Sequence, residues 1–208
     1  MKSNGALVSF LKARGLIKSR RVRRAFEATD RRHFVPDEHK GQAYEDAPQP
    51  IGEGQTISAP HMVAIMTEEL KLGKGHRVLE VGSGSGYQAG VIANAIGPGG
   101  KVFSIERHAG LCGIAKANCR KAGVRNAFFH HGDGKLGFRA NAPYDRIIVT
   151  AAAKEIPPAL IEQLKEGSTL VMPLGEQPQM ATLVAIEKKK GGQLEMKELL
   201  GVRFVPLV

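Results

Sequence analysis

The stretch Arg77–Gln88, RVLEVGSGSGYQ, limits what this 208-residue chain can fold into more than any other. Val78, Leu79 and Val81 read as a buried strand. Gly82, Gly84 and Gly86, interleaved with Ser83 and Ser85, let the backbone turn sharply and approach a ligand closely. A helix opens near Tyr87, so its unpaired N–H groups point back at the turn. A strand, a glycine turn and a helix in this order start an open, mostly parallel α/β sheet that holds its ligand at the strand ends.

The turn departs from the dinucleotide pattern G-x-G-x-x-G, because Tyr87 stands where the third glycine would be. Glu80 precedes it, and a carboxylate there would repel a pyrophosphate, which argues against NAD. The ammonium and sulfonium of S-adenosylmethionine (SAM) suit E-x-G-x-G-x-G. A second strand, Lys101–Glu106, ends in Glu106 about 20 residues after the turn, where doubly wound folds keep a partner for ribose hydroxyls. As a strand-end acid Glu106 is expected to be exposed, so that its removal would leave folding little changed. A third strand, Ala127–His131, runs into Gly132-Asp133-Gly134, which offers Asp133 as an acceptor for the adenine amino group. Any one of these acids reads equally well as a solvated strand end; three at successive strand ends read as one cofactor site.

The rest of the chain alternates in the same way. Helices are expected at His61–Leu72, Tyr87–Ile96, Ala109–Ala122 and from Pro157 to Lys165. Further strands are expected at Tyr144–Thr150, Ser168–Leu174, Met180–Lys188 and Leu194–Val205, the last two joined through Gly191-Gly192. This predicts an α/β/α sandwich with a mostly parallel sheet and an antiparallel C-terminal hairpin at its edge. Leu7, Phe10 and Leu11, then Val22, Ala25 and Phe26, predict two amphipathic N-terminal helices, the second capped by Ser19. Residues 33–57, rich in Pro and Gly, read as an irregular loop long enough to be functional. Ser58 is placed to cap the helix that Pro60 starts. One domain, 1–208, is expected: helices and a substrate-side loop over 1–60, then a SAM-binding core over 61–208.

The net charge of +10 would suit a nucleic-acid partner, but residues 1–40 carry 11 Lys/Arg against 4 Asp/Glu, so most of the excess sits in this leader. A solvated helix face is the expected explanation, which argues against nucleic acid. Cys112 and Cys119 fall in one helix and read as reduced thiols. No metal-ligand spacing occurs, and no apolar run approaches the roughly 18 residues of a membrane span. With no convincing secretory signal, a cytoplasmic location is expected.

The chain resembles the protein-L-isoaspartate O-methyltransferases from about Arg32 onward. The resemblance rests on IGEGQTISAPHMVA at Ile51–Ala64, VLEVGSGSGYQ at Val78–Gln88, GDG at Gly132–Gly134 and RFVPLV at Arg203–Val208. TISAPHM is the most diagnostic of these, because many methyltransferases share the glycine turn. The resemblance implies SAM as methyl donor, S-adenosylhomocysteine as product and isoaspartyl peptides and proteins as substrates. It puts Ser58 in the active-site serine position, with Thr56, Ile57 and His61 on the substrate side. It assigns Glu80, Gly82–Gly86, Glu106 and Gly132–Gly134 to the cofactor.

The residues themselves agree on the kind of acceptor. Thr150-Ala151-Ala152-Ala153 stands where amino-methylating enzymes carry [DNS]-P-P-[FYW], and neither cysteine is placed for attack on a base. A carboxylate, with a pKa near 4, is ionised at neutral pH and needs no general base. Two other readings stay open at this point: an O-methyltransferase for a small carboxylic acid, and a basic RNA-binding protein that keeps a SAM pocket. A monomer is expected, with a groove that reads mostly substrate backbone.

Overall fold

The computed structural model describes residues 1–208. Helices α1 (Asn4–Ala13) and α2 (Arg20–Ala28) come first, followed by a short hairpin, β1 (Gln49–Gly52) and β2 (Gln55–Ile57). Then come α3 (Pro60–Glu69), β3 (Arg77–Val81), α4 (Tyr87–Ile96), β4 (Lys101–Glu106), α5 (Ala109–Lys121), β5 (Ala127–His131) and β6 (Tyr144–Val149). The chain closes with α6 (Pro158–Gln163), β7 (Leu164–Leu174), β8 (Ala181–Lys188) and β9 (Leu194–Val202). The seven-stranded sheet has the order β5-β4-β3-β6-β7-β8-β9. Its first five strands are parallel, and β8 and β9 are antiparallel to their neighbours. The chain winds outward from β3 through β4 to β5, then returns to β6 on the other side of β3. That reversal opens a crevice at the carboxyl end of β3, where a ligand binds in such sheets.

The two faces of the sheet are unequally covered. A cluster of 36 buried residues joins α1–α5 to one face, whereas 13 lie on the other, where α6 contributes Leu160. The thicker face is where the leader went. Val22, Ala25 and Phe26 of α2 are buried, and Phe26 meets Tyr87 of α4 edge-on, with ring centroids 6.2 Å apart. Ser19 caps α2 as its position predicts, its Oγ accepting from Val22 N at 3.1 Å. Glu68 Oε1 adds acceptors for the N–H groups of Lys18 and Ser19, both at 2.8 Å. The leader is therefore pinned to α3 and α4.

Four expectations change. Ser58 does not cap α3: Pro60 is the first helical residue, so the cap position falls to Ala59, and no side chain caps the helix there. The loop over 33–57 contains the β1–β2 hairpin, which turns through Glu53 and Gly54, both at positive φ. Pro50 and Gly52, read as breakers, sit instead in short edge strands where they cost little. The fifth large strand starts at Leu164 and not Ser168, because Leu164 pairs with Tyr144 before the register shifts. The last strand stops at Val202 and not Val205. Beyond it the tail crosses the strand ends, with Ala152 N donating to Val205 O at 2.8 Å and Leu207 N to Ala152 O at 2.7 Å.

Candidate active site

A cavity opens at the carboxyl end of β3. Gly82, Ser83, Gly84 and Ser85 form one wall, with Ile105, Glu106, Arg107 and His108 after β4 beside them. Gln55, Thr56, Ile57 and Ser58 close it from the hairpin, and the tail Val205–Val208 closes the remaining side. The floor has no room for side chains. A Cβ on Gly82, whose φ is +95°, would lie 2.3 Å from Thr150 Oγ1, and one on Gly134 would lie 2.2 Å from Val81 Cγ1.

Glu106 is the carboxylate of this cavity. Contrary to expectation it is buried, only 6% exposed. Its Oε2 accepts from Gly84 N at 2.9 Å and its Oε1 from His108 N at 3.0 Å. A carboxylate has about four lone-pair sites, so capacity for two hydroxyl donors remains on the cavity side. That fits the ribose of an adenosyl cofactor, and the bare glycine floor fits its close approach.

Glu80 lies elsewhere. It is fully buried beneath the turn and is not part of the cavity wall. Ser104 Oγ donates to Glu80 Oε2, and Ser104 Oγ is linked to Ser83 Oγ at 2.6 Å, while Glu80 Oε1 has no partner. Burial, reinforced by the Glu106 charge, pushes the Glu80 carboxyl up to about 8 against the hydrogen bond from Ser104. A neutral acid under the floor does not repel a pyrophosphate, so that argument against NAD does not stand. Glu80 reaches the cavity only through Ser104 and Ser83.

This has a consequence for stability. In the unfolded chain Glu80 ionises near 4.5, whereas the folded protein keeps it protonated to about pH 8. The native state thus binds the extra proton, so its stability is full below about pH 4.5 and falls as pH rises towards 8. Glu80→Gln should remove this slope, by an amount on the order of a few kcal/mol. Urea denaturation at pH 5 and pH 8 checks it: the variant should gain on the parent at the higher pH, and equal slopes would show Glu80 ionised in the fold.

Of the glycine-flanked acid segment, only Gly134 lines the cavity. Asp133 is exposed, its Oδ1 accepting from Lys135 N at 2.9 Å, and Gly132 N donates to Glu106 O at 2.9 Å. Gly86 sits behind the wall and starts α4 with a φ of +87°. A Cβ there would come 2.9 Å from Ala115 O, so it serves the packing of α4 on α5.

The cavity opens into a groove on the outer surface. Thr56, Ser58, Thr150 and Val205 belong to both, and His61, Met62, Met180, Leu200 and Arg203 line the groove further out. Ser58 therefore stands at the boundary. Its position is fixed from behind by Arg31, a fully buried arginine whose Nη1 donates to Ser58 O at 2.8 Å and whose Nη2 donates to Ala47 O at 3.4 Å. The guanidinium lies over the Tyr87 ring, 5.2 Å from its centroid. Burial pulls its pKa down to about 10, which leaves it charged at neutral pH. Next to Ala47, Asp46 Oδ1 accepts from both the backbone N of His61 and its ring Nδ1, each at 2.9 Å. This sets the imidazole at the groove edge.

Sequence reading missed Arg31, Asp46, Thr150 and the tail as parts of this site. Burial of Arg31 has no local signal in a chain with many arginines. The tail motif RFVPLV is recognisable, but its return across the strand ends follows only from tertiary pairing. No three His, Cys, Asp or Glu side chains converge as a metal centre requires. No helix is long and apolar enough to cross a membrane.

The family model described as protein-L-isoaspartate(D-aspartate) O-methyltransferase matches residues 2–208. A protein-L-isoaspartate O-methyltransferase of Methanopyrus kandleri is 47% identical over 97% of this chain and 89% of its own length. One of Pyrococcus horikoshii is 49% identical over 97% of this chain and 90% of its own. Among solved structures, a Plasmodium falciparum protein assigned as a protein-L-isoaspartate O-methyltransferase, in complex with S-adenosyl-L-homocysteine, superposes with a TM-score of 0.86. The match has 28% identity and covers 100% of this chain and 99% of that one.

Proposed function

Since the chain belongs to the protein-L-isoaspartate(D-aspartate) O-methyltransferase family, we propose that it transfers the methyl group of SAM to the free carboxylate of L-isoaspartyl residues in damaged proteins. The ester then closes to a succinimide, whose hydrolysis partly restores aspartate. The observation that carries this reading is the position of Ser58, shared by the cavity at the strand ends and the groove beside it. A peptide in the groove presents a carboxylate to the cavity at this one boundary.

When bound, SAM supplies a methyl group on a sulfonium. Glu106 would accept from the ribose hydroxyls, and the glycine wall at Gly82 and Gly84 would leave room for the cofactor against backbone. Ser58 donates to the substrate carboxylate and holds it in line, and orientation of this kind can contribute roughly 7–11 kcal/mol. No base is needed for an acceptor that is already ionised. His61, held by Asp46, flanks the acceptor on the groove side, and the tail at Val205–Val208 shields the reacting atoms from water.

A methyl-transfer assay with an isoaspartyl peptide, its aspartyl twin, a small carboxylic acid and RNA tests the reading. Turnover of the isoaspartyl peptide alone is expected. Preferential methylation of the small acid or of RNA would replace it.

A further inference from the structure

We propose that Arg203 gives this enzyme a preference for isoaspartyl sites with an acidic residue one or two positions away. This rests on the groove being the substrate groove, as proposed above. The groove wall contains no Asp or Glu, and its charge comes from Arg203, with His61 as the other titratable group. None of the ion pairs of the molecule engages Arg203, which is exposed. The nearby carboxylate of Asp46 is committed to His61.

The backbone at Arg203 is fixed. Val202 and Phe204, on either side, are 7% and 8% exposed, and Phe204 N donates to Pro178 O at 3.1 Å. With its two neighbours anchored inward, the arginine is left to the groove. Around it the groove carries the exposed apolar side chains of Met180 and Leu200 and the uncharged Gln179 and Thr182. A lone cation on an otherwise uncharged wall favours a carboxylate partner over an ammonium one.

The reach also fits. Val205 lines both groove and cavity, and two residues of chain span at most about 7 Å. Ser58 and Val205 share the mouth between groove and cavity, so Arg203 faces the part of a bound peptide that lies next to this mouth. A groove that otherwise reads backbone would gain its sequence preference from this one side chain.

The test is a set of isoaspartyl peptides carrying Glu, Gln or Lys at each of the two positions before and after the damaged residue. In at least one position, Glu should raise kcat/KM over Gln by about three- to fivefold, the size of an exposed ion pair, and Lys should lower it. The ratio should shrink at high salt. Arg203→Ala should bring the Glu/Lys ratio to about one, and Arg203→Glu should invert it, with binding of S-adenosylhomocysteine reporting that each variant is folded. Equal ratios in the parent and in Arg203→Glu would overturn the proposal while leaving the activity in place. Failure of every peptide to be methylated would overturn the underlying activity, and this preference with it.

Discussion

Glu106→Ala should weaken SAM binding by about 1.5–3 kcal/mol, roughly ten- to a hundredfold, because it removes a charged acceptor from the cavity wall. It should also destabilise the fold. Glu106 is buried and takes the N–H groups of Gly84 and His108. Its loss leaves two donors at the edge of the turn without their acceptor, at about 1–3 kcal/mol in all. Calorimetry with S-adenosylhomocysteine and urea denaturation separate the two effects. An unchanged dissociation constant would remove Glu106 from the cofactor site, and unchanged stability would mean that water replaces the carboxylate without cost.

Ser58→Asp should abolish most methyl transfer while leaving the fold intact. The capping role that would have linked this residue to stability is absent, since α3 starts at Pro60 without a side-chain cap. Substitution at Ser58 therefore acts on chemistry alone. An aspartate would set a second negative charge beside the substrate carboxylate. At about 4 Å and an effective dielectric of about 20 the repulsion is on the order of 4 kcal/mol. Solvent at the half-exposed lip reduces it, so a fall in kcat/KM of about thirty- to a few hundredfold is expected. Ser58→Ala should lose less, because it removes a donor without adding charge. Near-normal turnover of an isoaspartyl peptide by Ser58→Asp would move the substrate carboxylate away from this residue.

Much of the fold was legible because its signals are local and redundant. The strand, glycine turn and helix at Arg77–Ile96 announce themselves by composition and period together, and Ser19 caps α2 by a rule that needs three residues. The site was legible only in part. Gly82–Ser85 and Glu106 could be placed because an α/β sheet carries its ligand at strand ends. Glu80 sits at a strand end too and faces the same side of the sheet as Glu106, but it pairs with Ser104, two residues short of Glu106, which leaves it buried beneath the turn with a raised pKa. That two-residue offset along the strand separates a cavity wall from a core, and sequence spacing does not reveal where the cover ends. Asp133, one residue before the cavity-lining Gly134, shows the same limit in the other direction, turned out to solvent.

Arg31 ties the backbone at Ser58 to the turn that follows the leader helices. Arg31 lies in the turn just after α2, so loss of α2 docking should loosen the support beneath Ser58, and amide hydrogen exchange at α2 and at residues 56–59 should then rise together. The order of the lip is then expected to follow the docking of the helix that precedes Arg31. A segment distant in sequence would then set how often the groove is poised to receive a damaged chain.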